Sequence, residues 1–242
     1  MRVRFLGTRG EIEARTRRHR RHSSLLVGYR GRDVMIDCGL DWRGRLVRLR
    51  PGAIVLTHAH SDHAAGFRDG APCPVYATGE TWSAVGRYPI AERDVVEPRR
   101  PVLVLGIEFE AFPVEHSLRA PTVGYRVTAG RAAIFYAPDL VTVVDEKESL
   151  SGLDFYVGDG AAVTRSIVRR RDGRPIGHAS IRTQLDWCAR AGVPRAVFTH
   201  CGSEIVKGDA RTTAAAVRAL GRERGVEARI AYDGLELAVS RY

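Results

Sequence analysis

Three of the chain's 8 histidines lie within six residues of one another, in the segment 57–63, Thr-His-Ala-His-Ser-Asp-His. The apolar run before it, Ala-Ile-Val-Leu, is typical of a buried strand. Alternate residues of an extended segment share a face, so His58 and His60 can converge on one metal ion. Asp62 and His63 then open a helix and can reach a second ion. Imidazole and carboxylate ligands suit zinc or a similar divalent ion, so the spacing predicts a paired metal site.

The hydrophobic pattern changes along the chain. Short β-branched runs between Gly- and Pro-containing turns predict strands at 3–6, 24–29, 33–38, 53–57, 74–77, 102–105, 107–114, 122–128 and 132–137. Helical periodicity then predicts helices at 180–191, before Gly192, and at 212–223, with Asp209 as N-cap. These helices alternate with predicted strands at 195–199, 226–231 and 235–239. No linker divides the chain, so we expect residues 1–242 to form one α/β (α+β) domain with two sheets and helices outside them.

The chain is basic, with 38 Lys and Arg against 28 Asp and Glu, a net charge of +10. Such a charge attracts anions, including phosphates and nucleic acid. The arginine-rich run 15–21 has two interpretations, a solvated surface loop or a phosphate-binding loop at the mouth of the site.

The N-terminus lacks a signal-like apolar stretch and no apolar run is long enough to span a bilayer, so we expect a cytoplasmic protein without a membrane partner. Four scattered cysteines predict free thiols.

Several segments resemble the metallo-β-lactamase superfamily. Besides segment 57–63, they are residues 5–8, 23–27 and 36–39 near the start, then Glu115-His116-Ser117, Gly124-Tyr125-Arg126, Ala137-Pro138-Asp139 and Phe198-Thr199-His200. Glu115-His116-Ser117 followed by Gly124-Tyr125-Arg126 is similar to the third motif of the tRNase Z and cyclic phosphodiesterase branch, and the resemblance covers nearly the whole chain. It implies a four-layer αβ/βα sandwich of two mixed sheets flanked by helices, with a dinuclear metal site at one sheet edge.

The resemblance also implies a ligand set. One metal would be held by His58, His60 and His116, and the other by Asp62, His63 and His200, with Asp139 bridging both. We expect zinc, with manganese or iron as alternatives. Two such ions can hold a shared hydroxide near neutral pH, so hydrolysis is the expected reaction. We assign Asp62 a catalytic role as well as a ligand role.

A further histidine, in Gly177-His178-Ala179-Ser180, opens the predicted helix 180–191. In the tRNase Z-like branch a histidine here protonates the leaving group and is oriented by an acidic residue at a strand end. The acidic candidate is Asp159, although the family more often has glutamate. The alternative for His178 is that it simply caps its helix.

The substrate predicted from these features is a small or cyclic phosphodiester, or a nucleic-acid end. The long tRNA-binding arm of the family would lie between His116 and Asp139, where this chain has room only for a strand pair. Two alternatives stay open: a lactone, thioester or other ester hydrolase, and a non-catalytic nucleic-acid-binding protein with a vestigial metal site. A homodimer is an open alternative to a monomer.

Overall fold

Two large mixed sheets face each other in the computed structural model of the chain, which describes residues 1–239. The first sheet contains β1 (Arg2–Gly7), β2 (Ser24–Tyr29), β3 (Arg32–Ile36), β4 (Ala53–Val55), β5 (Val75–Ala77), β6 (Arg93–Val95) and β17 (Glu236–Ala238). Its order is β17-β1-β2-β3-β4-β5-β6. Pairing is antiparallel from β17 to β3 and parallel from β3 to β6.

The second sheet, like the first, has antiparallel strands in one half and parallel strands in the other. It contains β7 (Val102–Val104), β8 (Ile107–Glu115), β9 (Thr122–Ala129), β10 (Ala132–Tyr136), β11 (Thr142–Val143), β12 (Phe155–Asp159), β15 (Arg195–Thr199) and β16 (Glu227–Ile230). The order is β11-β8-β9-β10-β12-β15-β16, with β7 also paired to β8. Pairing is antiparallel as far as β10 and parallel from β10 to β16. Separately, β13 (Ile167–Arg171) and β14 (Arg174–His178) form a two-stranded hairpin.

Helices cover the outer faces of both sheets. They are α1 (Leu46–Leu49), α2 (Ser61–Ala64), α3 (Gly79–Val85), α4 (Glu146–Leu150), α5 (Ile181–Ala191), α6 (Ser203–Lys207) and α7 (Ala210–Arg222), with 3-10 turns at Leu40–Trp42 and Ala65–Asp69. Among the described residues, no helix is long and apolar enough to cross a membrane.

Strand alternation creates three apolar layers. In β10, Ile134 and Tyr136 face the core between the sheets, whereas Ala133 and Phe135 face the outer helices. The inter-sheet core includes Phe5 of the first sheet, and each such fully buried aromatic contributes roughly 1.5–3 kcal/mol. A second cluster packs α5 and α7 on the second sheet, and a third packs the helical turns on the first. The predicted four-layer αβ/βα sandwich is confirmed.

The predicted elements are largely confirmed, with shifted ends. The helix expected at 180–191 is Ile181–Ala191, and the one expected at 212–223 begins earlier, at Ala210, after the predicted cap Asp209. Residues 117–121 and one strand pair fill the space between His116 and Asp139, as expected from the missing arm. Helix α3, strand β6 and the β13–β14 hairpin were not predicted from the sequence. The four cysteines are free thiols.

The two sheets are joined by hydrogen bonds where the first histidine motif begins. The Tyr125 hydroxyl of β9 donates to the Leu56 carbonyl at 2.9 Å, and the Val123 N–H donates to the Thr57 carbonyl at 3.1 Å. These contacts fix the end of β4 against the second sheet, one residue before His58.

Candidate metal centre

One edge of the sandwich collects the polar ends of several strands. His58 lies just beyond β4, His116 follows β8, and Asp139 comes three residues after β10. Asp159 ends β12, and His200 follows β15. Because β8, β10, β12 and β15 all run in one direction, their carboxyl ends meet at this edge.

A first group of donors contains His58, His60, His116 and Asp139, whose ligand atoms lie within 4.8 Å of one another. Nε2 of His58 is 2.9 Å from Nδ1 of His60, which is 3.3 Å from Nε2 of His116. Asp139 Oδ2 lies 3.4 Å from the His58 nitrogen and 3.6 Å from that of His116. Three imidazoles and one carboxylate therefore surround one point.

A second group adjoins the first and contains Asp62, His63, Asp139 and His200. Asp62 Oδ2 is 3.2 Å from His63 Nε2 and 3.1 Å from His200 Nε2. The same Asp139 Oδ2 that faces the first group lies 3.0 Å from His63 Nε2. The structure thus brings all seven predicted ligands together, with Asp139 between the two groups.

Hydrogen bonds behind three of the histidines fix which ring nitrogen faces the centre. His63 Nδ1 donates to Asp37 Oδ2 at 2.9 Å, and His116 Nδ1 donates to the Gly177 carbonyl at 2.9 Å. Thr57 donates its hydroxyl to Asp37 and so accepts from His58 Nδ1 at 3.0 Å. Each proton held at Nδ1 leaves the Nε2 lone pair directed inward, the form that binds metal.

The charges of the centre also suit a cation. Burial, with the His63 charge, lowers the pKa of His58 well below its usual range, and burial with His116 lowers that of His60 to about 4. Burial opposes ionisation of Asp62, but His63 and His200 hold its pKa well below the ordinary value.

Burial opposes the charge on His63 and His200, but Asp62 and Asp37 raise the pKa of His63 and Asp139 raises that of His200 to about 9. Those two rings would release a proton when an ion binds, whereas His58 and His60 are already neutral, and neutral imidazoles beside ionised carboxylates are the donor states that divalent ions require.

Three buried polar atoms at the centre lie close to other polar atoms without hydrogen-bond geometry: His63 Nε2 is 3.0 Å from Asp139 Oδ2, and His200 Nδ1 is 3.0 Å from Asp139 Oδ1. Buried polar atoms of this kind are rare, since each costs free energy unless a partner or an ion satisfies it. The donor set and these unpaired atoms fit divalent metal ions.

His178 and Asp159 meet beside the centre, at the end of β14. His178 Nδ1 lies 2.8 Å from Asp159 Oδ2 and 3.2 Å from Asp139 Oδ1. The side chain of Asp159, although shorter than the glutamate more common in the family, therefore reaches His178. Burial opposes the charge on His178, but the Asp159 and Asp139 carboxylates outweigh it and raise its pKa to about 11. The helix-cap alternative does not match the structure, because the Ser180 hydroxyl caps α5 by accepting from the Thr183 N–H.

Gln184 of α5 ties this pair to the fold, and sequence reasoning did not identify it. Its amide nitrogen donates to the carbonyls of Asp159 at 2.7 Å and Ala179 at 3.1 Å. Its amide oxygen accepts from the Asp159 N–H at 2.8 Å and the Tyr156 hydroxyl at 2.9 Å. This fully buried amide thus links the strand that carries Asp159 to the residue after His178.

A cavity of about 670 Å³ opens onto the centre. Its lining includes Asp62, Asp139, His178 and His200, together with residues 10–12. Neither Glu11 nor the arginines of the hairpin at this cavity were predicted from the sequence. The Asp-Gly turn signal between two arginine-containing runs at 165–174 could have identified the hairpin.

The arginine-rich loop 15–21 does not line this cavity. Arg15 pairs with Asp41 at 3.1 Å, Arg18 stacks on Tyr232, and Arg21 stacks on Trp42. These contacts favour the surface-loop interpretation of the run.

Comparisons with known proteins agree with this geometry. Residues 32–201 match the family described as the β-lactamase superfamily domain. A ribonuclease Z from Mycobacterium marinum is 27% identical over 229 residues, covering 76% of this chain and 81% of the relative. The fold is similar to YhfI, a metallo-β-lactamase-fold protein from Bacillus subtilis, with a TM-score of 0.76, 16% identity and 98% of each chain covered. It is also similar to a diphosphatase of the PhnP family, with a TM-score of 0.71, 21% identity and 98% and 97% covered.

The chain therefore belongs to the β-lactamase superfamily and has the metallo-β-lactamase fold. With its histidine and aspartate centre, it is a metal-dependent hydrolase that uses divalent ions.

Proposed function

We propose that this hydrolase is a dinuclear phosphodiesterase that acts on a small or cyclic phosphodiester or on a nucleic-acid end. The observation that carries the proposal is the pair of donor groups sharing Asp139, with the His178–Asp159 pair 3.2 Å away at the same cavity. The ribonuclease Z relative and the diphosphatase neighbour support phosphate chemistry. His58, His60 and His116 would hold one ion and Asp62, His63 and His200 the other, with Asp139 bridging them.

Zinc is the metal we propose, because histidine nitrogens and carboxylate oxygens form its common donor set, with manganese or iron as alternatives. When bound, two such ions would supply the Lewis acidity that polarises a phosphoryl group and activates water near neutral pH.

The protein's own groups would handle the protons. Asp62 lines the cavity, so its carboxylate can accept the proton that an attacking water loses as the new P–O bond forms. Asp159 holds the Nδ1 side of His178, which leaves Nε2 free to donate a proton to the leaving oxygen as the old P–O bond breaks. Such a proton transfer contributes about 10²–10⁴-fold to the rate.

The first test compares three substrate classes with protein loaded with zinc, manganese or iron: bis(p-nitrophenyl) phosphate, a lactone and a thioester. We expect about two equivalents of metal per chain and turnover of the phosphodiester. The Asp62→Ala variant is the control, and its activity should be lost while the fold is kept. Turnover of the lactone or thioester alone would identify an ester hydrolase, and nucleic-acid binding without any turnover would identify a binding protein.

The second test is the His178→Ala variant, assayed with two leaving groups. Nitrophenolate leaves without much protonation, whereas an alkoxide needs a proton. We therefore expect a loss of about 10²-fold or more with an alkyl phosphodiester and a much smaller loss with the nitrophenyl ester. Equal losses with both substrates would remove His178 from the role of general acid.

A further inference from the structure

The β13–β14 hairpin concentrates positive charge beside the centre. Residues 165–174 contain five arginines and one aspartate. Arg165 and Arg169 line the cavity together with His178, which is the last residue of β14. The strand β13 is exposed along its whole length, so its arginines can be reached by a large ligand.

Arg169 and Arg171 lie on one face of β13, and Arg165, just before the strand, lines the same cavity as Arg169; we call these three arginines the row. Alternate residues of a strand share a face, so Ile167, Arg169 and Arg171 lie together. Ile167 and Arg169 line the cavity whereas Val168 and Arg170 do not, which identifies this as the cavity face. From Ile167 to Arg171 the strand extends about 13 Å, so the row continues beyond the cavity.

The arginines of this row are not neutralised by the protein. Among residues 1–239, Arg165, Arg169 and Arg171 form no ion pair, whereas Arg99 pairs with three carboxylates. In the same hairpin, Arg174 pairs with Glu115 at 3.0 Å, and Arg170 donates to the Gly173 carbonyl.

Besides Asp62 and Asp139 of the centre, two glutamates line the cavity, and both accept hydrogen bonds from the protein. Glu11 accepts from the Ser61 hydroxyl at 3.3 Å, and Glu204 accepts from the Val163 N–H at 2.9 Å. The unpaired guanidinium groups are therefore the cations available to an anionic ligand.

The hairpin is fixed to the centre. The Gly177 N–H donates to the His116 carbonyl at 3.0 Å, and the Gly177 carbonyl accepts from His116 Nδ1. The hairpin turn contains Asp172 and Gly173, both with positive φ, and such a two-residue turn matches the twist of the paired strands. A ligand held along β13 is thereby positioned relative to the centre.

We propose that Arg165, Arg169 and Arg171 bind the phosphates that follow the scissile one in a single-stranded oligonucleotide. The inference rests on the proposed phosphodiesterase function and specifies its substrate class. A small diester ends inside the cavity, whereas a strand carries successive charges along the whole row. Guanidinium groups match phosphate oxygens in bidentate geometry and serve every base sequence equally.

The test uses the metal-loaded protein with the Arg165→Ala, Arg169→Ala, Arg171→Ala triple variant. The matched control removes the same charge from three exposed arginines elsewhere, Arg17, Arg20 and Arg211. Hydrolysis is measured on bis(p-nitrophenyl) phosphate and on a single-stranded oligonucleotide of about 12 nucleotides, within the range of single-strand binding sites. Affinity for a phosphorothioate strand of that length is followed by fluorescence anisotropy as a function of salt.

For the hairpin variant we expect a loss of about 30-fold in kcat/KM for the oligonucleotide, roughly threefold for each lost contact, and a clearly smaller loss for bis(p-nitrophenyl) phosphate, because Arg171 lies beyond the cavity that holds the small diester. The salt slope of its affinity should fall by about 2, from three contacts at about 0.7 each. Equal behaviour of the hairpin and control variants, or an equal loss on the small diester, would overturn the inference and leave the phosphodiesterase proposal standing. If the wild type turned over no phosphodiester, the proposed function itself would fail, while a hairpin-specific loss of anisotropy would still support strand binding.

Discussion

At the scale of single residues, Gln184 is the side chain through which the fold holds the proton donor in place. Replacing it by methionine keeps the volume but leaves the buried N–H and carbonyl of Asp159 without partners, which costs about 2 kcal/mol of stability. We expect kcat to fall about tenfold at unchanged KM, because the His178–Asp159 pair is no longer fixed. The loss should be larger with an alkyl leaving group than with nitrophenolate.

The control for Gln184→Met is Tyr156→Phe. That change removes one partner of Gln184 but leaves both of its hydrogen bonds to Asp159 intact. Its stability should fall modestly while its kcat stays near the wild-type value. If Gln184→Met slowed both substrates equally, its role would be structural rather than one of positioning.

At the scale of elements, α5 links the core of the second sheet to the candidate site. Ser180 accepts a hydrogen bond from the Thr183 N–H at 3.2 Å, and its own N–H donates to the Ser166 hydroxyl before β13. The Ser180→Ala variant should lose about 1 kcal/mol of stability, the typical contribution of an N-cap. Its kcat should also fall, because the helix start and His178 shift together.

A comparable cap elsewhere provides the comparison. Asp209 accepts from the Thr212 N–H at 2.8 Å at the start of α7, away from the cavity. Asp209→Ala should cost a similar free energy, measured by urea denaturation, without a change in kcat. A loss of activity in both variants would show that general destabilisation, rather than the position of α5, is responsible.

At the scale of the whole molecule, buried histidines outside the centre make stability depend on pH. Burial, with the nearby Arg18 charge, lowers the pKa of His19 to about 4, whereas an unfolded histidine titrates near 6.5. As the pH falls below about 6.5, the unfolded chain binds the proton first, so the free energy of unfolding decreases until about pH 4. Between pH 7 and pH 5 the contribution of His19 is on the order of 2 kcal/mol.

The His19→Asn variant isolates this contribution. It removes the titrating ring while offering a hydrogen-bonding group to Thr8, whose hydroxyl also donates to Asp233. Asp233 titrates in both proteins, and burial raises its pKa in each, so its effect cancels in the comparison. Urea denaturation at pH 7 and pH 5 should show a smaller decrease for the variant. Identical decreases would contradict the assignment to His19.

Much of the architecture, and the donors of the centre, could be predicted from the sequence because both depend on local pattern. His58, His116 and His200 each follow an apolar strand, and strand ends gather at sheet edges. Asp37 and Gln184 could not be predicted in the same way. Their roles depend on which distant segments pack against them, as when Gln184 meets both Asp159 and Ala179. The exposed hairpin has no hydrophobic alternation, so its strands were not recognised either.

The seven candidate ligands come from both sheets. His58, His60, Asp62 and His63 extend from the first, while His116, Asp139 and His200 extend from the second. Ions held between them would join the two halves of the sandwich as a cross-link does, since each layer could leave the other only by giving up ligands. The supply of metal would then determine the stability of the protein as well as its activity. Protein treated with a chelator should therefore show faster amide hydrogen exchange in the strands of both sheets.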